Sequence, residues 1–364
     1  VGDAHGVGIV GLGNISRQYL DALAGHPEIR IVAVADLSEE RAAAVAAETG
    51  AEAVPAAELV RHPAVQTVLN LTIPAAHAEI AHAAIEAGRA VYGEKPLAVS
   101  VDEGRGIVEA GARSGVAVGS APDTVLGTGV QTARRAVDDG LIGRPVAASA
   151  TMITAGHERW HPNPDFYYQP GGGPMLDMGP YYVSALVTLL GPVVAVSGAA
   201  SRLRSERVIG SGPRAGETIP VDVDTHVTGI LEHANGAIST IVTSFDGTTT
   251  TASPIEVHGT DGTLLVPDPN RFDGDVVLHR PGAEPETLAV SGGYDGAGRG
   301  VGLVDFVRTA PGVEPRAGGA MALHVLDIMT GILRAAEQGG RVELTTTTAR
   351  PEAVPFTARE DWHS

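Results

Sequence analysis

The chain of 364 residues has no cysteine, a single lysine and few aromatics. Without cysteine there can be no disulfide, thiolate nucleophile, Cys-ligated zinc or iron–sulfur cluster. Aromatics are 4% of the residues, so a large core must come from Ala, Val, Leu and Ile within the 43% hydrophobic content. No run of 18 or more apolar residues occurs, and Val1-Gly2-Asp3-Ala4-His5-Gly6 leads into a strand without a charged leader segment. The expectation is a soluble, cytoplasmic protein with no membrane partner. Basic clusters are also missing. A formal net charge of −18 opposes binding to nucleic acid or anionic membranes and suits solubility.

The shortage of lysine points to a residue. Lys95 is the only lysine among 25 Lys and Arg residues. Arginine can replace lysine as a solvated charge. It cannot replace it as a group that exchanges a proton near neutral pH, because guanidinium stays protonated. Lys95 sits in Glu94-Lys95-Pro96, after the strand-like Ala90-Val91-Tyr92.

The first third alternates strands and helices. Gly6 to Val10 reads as a buried strand, followed by the turn Gly11-Leu12-Gly13-Asn14-Ile15-Ser16 and a helix over Arg17 to Ala24. Strand, Gly-rich turn and helix is the context of a dinucleotide fingerprint. Gly11 allows the turn, Gly13 lets the backbone approach a pyrophosphate, and Ser16 stands in for the third glycine. The next strand, Ile29 to Ala35, ends at Asp36, about 20 residues beyond the turn, where a carboxylate bonds the adenosine ribose. A carboxylate there repels a 2′-phosphate, so NAD(H) is expected over NADP(H). Asp36 is alternatively a cap for the helix that begins at Ser38.

Thr67 to Leu71, Ala90 to Tyr92 and Val116 to Gly119 read as further strands, with helices over Ala75 to Ala87 and Val101 to Arg113. The pattern predicts a doubly wound parallel sheet, with ligand across the carboxyl ends of its strands. Leu71, Thr72 and Pro74 fall at one such end and Glu94 and Lys95 at another. His77 either faces the cofactor or lies on a helix surface.

After Ser120 the alternation stops. Residues 1–122 are expected to form the NAD-binding Rossmann domain and 123–364 an α+β domain with a large, mostly antiparallel open sheet. A helix is expected over Gly127 to Asp139 and a strand over Pro145 to Thr154. Asn235-Gly236 and Asp261-Gly262 read as hairpin turns. Arg202 to Thr218 reads as a mobile loop. His157-Glu158-Arg159-Trp160-His161 matches the zinc-protease pattern HExxH. That chemistry needs a helix, which Pro162 and Pro164 oppose, so no metal is expected. Trp160, His161, Asn163 and Tyr168 are candidates for contact with a sugar-like ring, or for loop packing. Gly171-Gly172-Gly173-Pro174 opens a helix to about Leu190, with Pro174 at its first position. On it Asp177 and Tyr181 share a face by their i, i+4 spacing. Hydride removal from a carbinol needs a group that takes the hydroxyl proton. A Lys–Tyr pair can do so while Asp orients the substrate. Equally, Asp177 suits the helix dipole and Tyr181 a core.

The Gly11–Ser16 turn, Glu94-Lys95-Pro96 and Gly171–Gly179 occur in this order, and the chain resembles the Gfo/Idh/MocA oxidoreductases over nearly its whole length. The resemblance implies an NAD(P)-dependent dehydrogenase or reductase acting on CH–OH groups of a sugar, cyclitol or derivative. It implies that Lys95 approaches the substrate oxygen and the nicotinamide, and that Asp177 is a catalytic-site residue. Four residues after that Asp the family usually has His, where this chain has Tyr181. Three alternatives stay open for the acid/base: Tyr181, Lys95 alone, or a loop histidine, His157 or His161. The family's second-domain sheet implies a homo-dimer or homo-tetramer. Two other functions remain: a redox-neutral, NAD-retaining enzyme that cleaves glycosides or epimerises, and a non-catalytic dinucleotide-binding protein.

Overall fold

A computed structural model describes residues 4–363; Val1 to Asp3, expected to lead into the first strand, and Ser364 lie outside the described residues. The chain divides into two compact units. The first comprises the chain up to Gly127, Gly292–Leu326 and the chain from Pro351; the second comprises Thr128–Ser291 and Asp327–Arg350.

In the first unit β1 (His5–Val10), α1 (Ser16–Leu23), β2 (Ile29–Ala35), α2 (Glu39–Thr49), β3 (Glu52–Ala53), α3 (Ala56–Leu59), β4 (Thr67–Asn70), α4 (Pro74–Glu86), β5 (Ala90–Gly93), α5 (Val101–Ser114) and β6 (Val118–Ser120) follow in turn. The strands make a parallel six-stranded sheet in the order β3-β2-β1-β4-β5-β6. Val7, Ile9, Val34, Val68 and Leu69 are fully buried. Their near-continuous apolar runs suit a sheet covered on both faces. The short β3 and α3 have no periodic pattern long enough to read from sequence.

The expected boundary at 122/123 needs correction, because later segments return to this unit. Asp123 is fully buried and accepts the backbone N–H groups of Gly300 (2.8 Å) and Gly302 (3.1 Å) at the start of a later helix. His26 Nε2 lies 2.7 Å from the carbonyl of Trp362. At Gly104 a Cβ would stand 3.2 Å from Leu323. Such pairings join residues far apart in sequence and carry no local signature.

The second unit contains α6 (Thr128–Asp138), β7 (Pro145–Ile153), α7 (Pro174–Leu190), β8 (Val193–Ser201), β9 (Glu206–Val208), β10 (Thr218–Pro220), β11 (His226–His233), β12 (Ile238–Ser244), β13 (Ile255–Gly259), β14 (Thr263–Val266), β15 (Val277–His279) and β16 (Glu286–Thr287). The chain then forms α8 (Val301–Arg308) in the first unit, α9 (Gly319–Gln338), β17 (Arg341–Glu343) and α10 (Arg359–His363). Nine strands form one sheet in the order β16-β15-β14-β13-β7-β12-β11-β8-β17, antiparallel except for β12 beside β7. Helix α7 packs on one face, over the buried Val227, Leu231 and Ile241. Among the described residues, α9 alone is long and apolar enough to cross a membrane by length and composition, and 67% of that span is buried in protein.

The segment expected as a mobile loop, Arg202 to Thr218, is instead anchored. Strands β9 and β10 pair antiparallel, and the Arg207 side chain is 1% exposed. Its guanidinium fixes the segment, and a composition-based reading misses this because the partners lie elsewhere in the chain.

His233 is buried, with ring nitrogens 2.8 Å from the Gly191 carbonyl and 2.7 Å from Ser239 Oγ, and burial pushes its pKa down. The unfolded chain then binds more protons below about pH 6.5, so this group lowers stability as pH falls through that value. The loss of melting temperature between pH 7.5 and 5.5 should therefore be smaller in His233→Gln than in the parent chain. Equal losses in thermal melts would refute this.

Candidate active site

In the first unit the expected cofactor residues gather at the carboxyl ends of β1, β2, β4 and β5. Gly11 has φ +92°, and a Cβ there would stand 2.7 Å from the Leu71 carbonyl group, so only glycine fits. The buried Leu71 thus backs the turn with its peptide. At Gly13 nothing lies within 4 Å of where a Cβ would be, which leaves an open cradle at the start of α1. Asn14 is exposed and Ile15 half-buried beside it. Ser16 is buried and its hydroxyl donates to the Gly13 carbonyl (2.7 Å). Asp36 accepts the backbone N–H groups of Leu12 (2.7 Å) and Ser38 (2.8 Å), and Arg41 lies 3.2 Å away. Ser38, not Asp36, caps α2, since its hydroxyl accepts the N–H of Arg41 (3.3 Å). An open glycine turn at a helix N-terminus, with a carboxylate at the end of the next strand, fits the pyrophosphate and ribose of a dinucleotide.

Lys95 is half-buried, directly after β5, with a cis peptide to Pro96. Its neighbours are held on both sides. The Glu94 N–H donates to the Asn70 carbonyl (2.9 Å). The Glu94 carboxylate accepts the Tyr19 hydroxyl (2.8 Å) and the Lys95 N–H (3.0 Å). Burial pushes the Tyr19 phenol well up, which keeps it a donor. Glu94 therefore braces the turn. His77 is held likewise. It is buried, and its ring nitrogens lie 2.7 Å from the Pro96 carbonyl and 3.0 Å from that of Thr72, so both polar atoms face protein. The Thr72 hydroxyl donates to Asn70 (2.7 Å), and Pro74, exposed, opens α4 at its first turn. Tyr19 was missed from sequence. Its one signal was a hydroxyl on the core-facing side of the fingerprint helix, which must find a partner when buried.

In the second unit the glycine run is dictated by close approach. A Cβ on Gly172 would stand 2.4 Å from the Phe166 carbonyl oxygen, and Gly171 and Gly173 have φ +90° and +86°. The run delivers Pro174 to the first turn of α7 and Asp177 beside it. Asp177 is mostly buried, with 18% of its side chain exposed, and Tyr181, one turn on, is buried. Asp177 Oδ2 lies 3.0 Å from His157 Nε2.

The HExxH stretch is a 3₁₀ turn over His157–Arg159, so its two histidines do not share a helix face. Glu158 is buried against Arg207 (3.0 Å) and accepts the Tyr168 hydroxyl. Tyr168 is fully buried there, and burial pushes its phenol up; its expected contact with substrate is corrected, because the hydroxyl is committed to Glu158. Trp160 is 58% exposed, Asn163 exposed and His161 half-buried, its Nδ1 accepting the Asn163 N–H (3.1 Å). Burial lowers the His161 pKa. Arg207 was missed because its segment read as a polar loop.

The two units define a class: a dinucleotide-binding Rossmann unit with strand order 3-2-1-4-5-6, joined to an open-sheet α+β unit carrying a glycine-led helix. Residues 5–121 match the oxidoreductase family with NAD-binding Rossmann fold, and residues 130–265 match the GFO/IDH/MocA C-terminal domain. The chain belongs to the GFO/IDH/MocA family of oxidoreductases. It is similar to 1,5-anhydro-D-fructose reductase of Ensifer adhaerens, 29% identical over 71% of this chain and 74% of the relative. It is similar to D-apiose dehydrogenase of Paraburkholderia graminis, 25% identical over 96% of this chain and 92% of the relative. Its fold matches an NAD binding oxidoreductase from Klebsiella pneumoniae with TM-score 0.81, 24% identity, and coverage of 94% of this chain and 100% of the other.

Proposed function

We propose that this chain transfers a hydride between NAD(H) and a carbinol or ketone carbon of a sugar, cyclitol or derivative. The observation that carries the reading is Lys95, the only lysine, braced on the sheet edge that also bears the Gly11–Gly13 turn and Asp36. When bound, nicotinamide supplies the hydride donor or acceptor. In this reading Lys95 and the Tyr181 hydroxyl handle the proton of the substrate oxygen, and Asp177 orients a substrate hydroxyl. Trp160 offers an apolar face to a sugar ring, and His161 and Asn163 offer polar groups at its rim.

The test is NADH binding by fluorescence, then turnover of 1,5-anhydro-D-fructose with NADH and of D-apiose and myo-inositol with NAD. Failure to bind NADH would end this reading. We also propose NAD over NADP, because Asp36 repels a 2′-phosphate. In Asp36→Ala the ratio of NADPH to NADH affinity should rise about tenfold or more. Parent protein that binds NADPH as tightly as NADH would refute this preference.

A homo-dimer or homo-tetramer is part of the proposal. On β11 and β12 the alternate residues Thr228, Ile230, Glu232, Ile238, Thr240 and Val242 line one open sheet face, with Ile230 and Ile238 exposed at 45% and 51%. Light scattering after gel filtration measures the state.

A further inference from the structure

We propose that His157 is the positioning residue for Asp177, and that the HExxH stretch exists in this chain to deliver it. The inference rests on the oxidoreductase reading above. His157 Nε2 lies 3.0 Å from Asp177 Oδ2, so the imidazole N–H donates to the carboxylate on α7. The ring is packed between Trp160, Tyr167 and Phe245, at centroid distances of 5.2, 4.6 and 4.5 Å. Its other nitrogen, Nδ1, is buried with no hydrogen-bond partner.

The carboxylate partner of Nε2 separates His157 from histidines whose partners are structural. His233 has a polar partner at each nitrogen, and so does His77. A buried polar atom left unsatisfied carries a desolvation cost. His157 Nε2 is instead committed to the carboxylate expected to meet substrate.

The surrounding turn is built to fix the ring. Gly156 has φ +99°, and a Cβ there would stand 2.2 Å from Glu158 Oε2. Glu158, the next residue after His157, is pinned by Arg207 (3.0 Å) and Tyr168, and Arg207 is pinned in turn by Asp246 (2.6 Å). The glutamate of the motif is therefore an anchor. The first histidine is what it presents. A carboxylate held in one rotamer by a preorganised donor meets a substrate hydroxyl without reorganising.

The experiment is a double-mutant cycle on His157 and Asp177, read as kcat/KM with whichever of 1,5-anhydro-D-fructose, D-apiose or myo-inositol is turned over fastest, alongside NADH affinity and melting temperature. Gln keeps an N–H donor near the Nε2 position. His157→Gln should stay within about tenfold of the parent, whereas His157→Leu should lose about 100-fold, both with NADH affinity unchanged. In the Asp177→Ala background, which removes the acceptor, His157→Leu should cost almost nothing more, because its effect runs through Asp177. Losses that multiply in the double variant would overturn the proposal, as would a His157→Leu chain as active as the parent. Equal losses in the Gln and Leu variants would also overturn it, as would a chain that binds NADH but turns over none of the three compounds. Loss of NADH binding by the parent would instead strike the oxidoreductase reading itself.

Discussion

Lys95→Met should lower kcat/KM by about 10³-fold or more, while NADH affinity stays within about threefold. Methionine keeps the reach and apolar stem of the side chain and removes the ammonium. The backbone of the turn is held at residues 94 and 96 by Glu94, Tyr19, Asn70 and His77. Lys95→Arg should not restore turnover, because guanidinium keeps its charge but does not exchange a proton near neutral pH. Steady-state kinetics and NADH fluorescence measure the two quantities separately. A Met variant with full turnover would remove Lys95 from the chemistry. The composition offers a second check. A lysine-directed reagent has one side-chain amine to modify, and saturating NADH should slow that modification.

Arg207→Ala should cost stability on the order of 3–5 kcal/mol, enough to lower the melting temperature by about 10 °C. Arg207 is almost wholly buried between Glu158 and Asp246, whose side chains are 6% and 7% exposed. It also donates to the Phe245 carbonyl (3.1 Å). Removing the guanidinium leaves two carboxylates buried without their counter-charge, and that desolvation dominates the loss. Neutralising them as well, in Arg207→Met/Glu158→Gln/Asp246→Asn, should recover part of it. An alanine variant that melts with the parent would show that the network contributes nothing. If the clamp presents His157 as proposed, the alanine variant should also lose activity below its melting temperature.

Much of the first unit was legible from local pattern. The apolar runs at β1, β2 and β4 and the glycine turn mark a doubly wound sheet, because strands covered on both faces must be apolar throughout. The hairpin at Asn235-Gly236 and the Pro174 start of α7 were readable for the same reason, being set by residues next to one another. The segment 202–218, the return of α8 and the start of α9 to the first unit, and the burial of Tyr168 were not. Each depends on a partner outside the local element, from 10 residues away for Tyr168 to 177 for Asp123.

The site divides along the same line. Sequence by itself determined which groups are available: no thiol, one ammonium, a carboxylate beyond the second strand, and Asp177 and Tyr181 on one helix face. These follow from composition and from the periodicity of strand and helix, which act over a few residues. Tertiary structure alone decided how the groups are held. Glu94 and His77 proved to be braces, Glu158 an anchor and His157 the partner of Asp177, because a buried polar atom takes the partner that long-range packing brings to it.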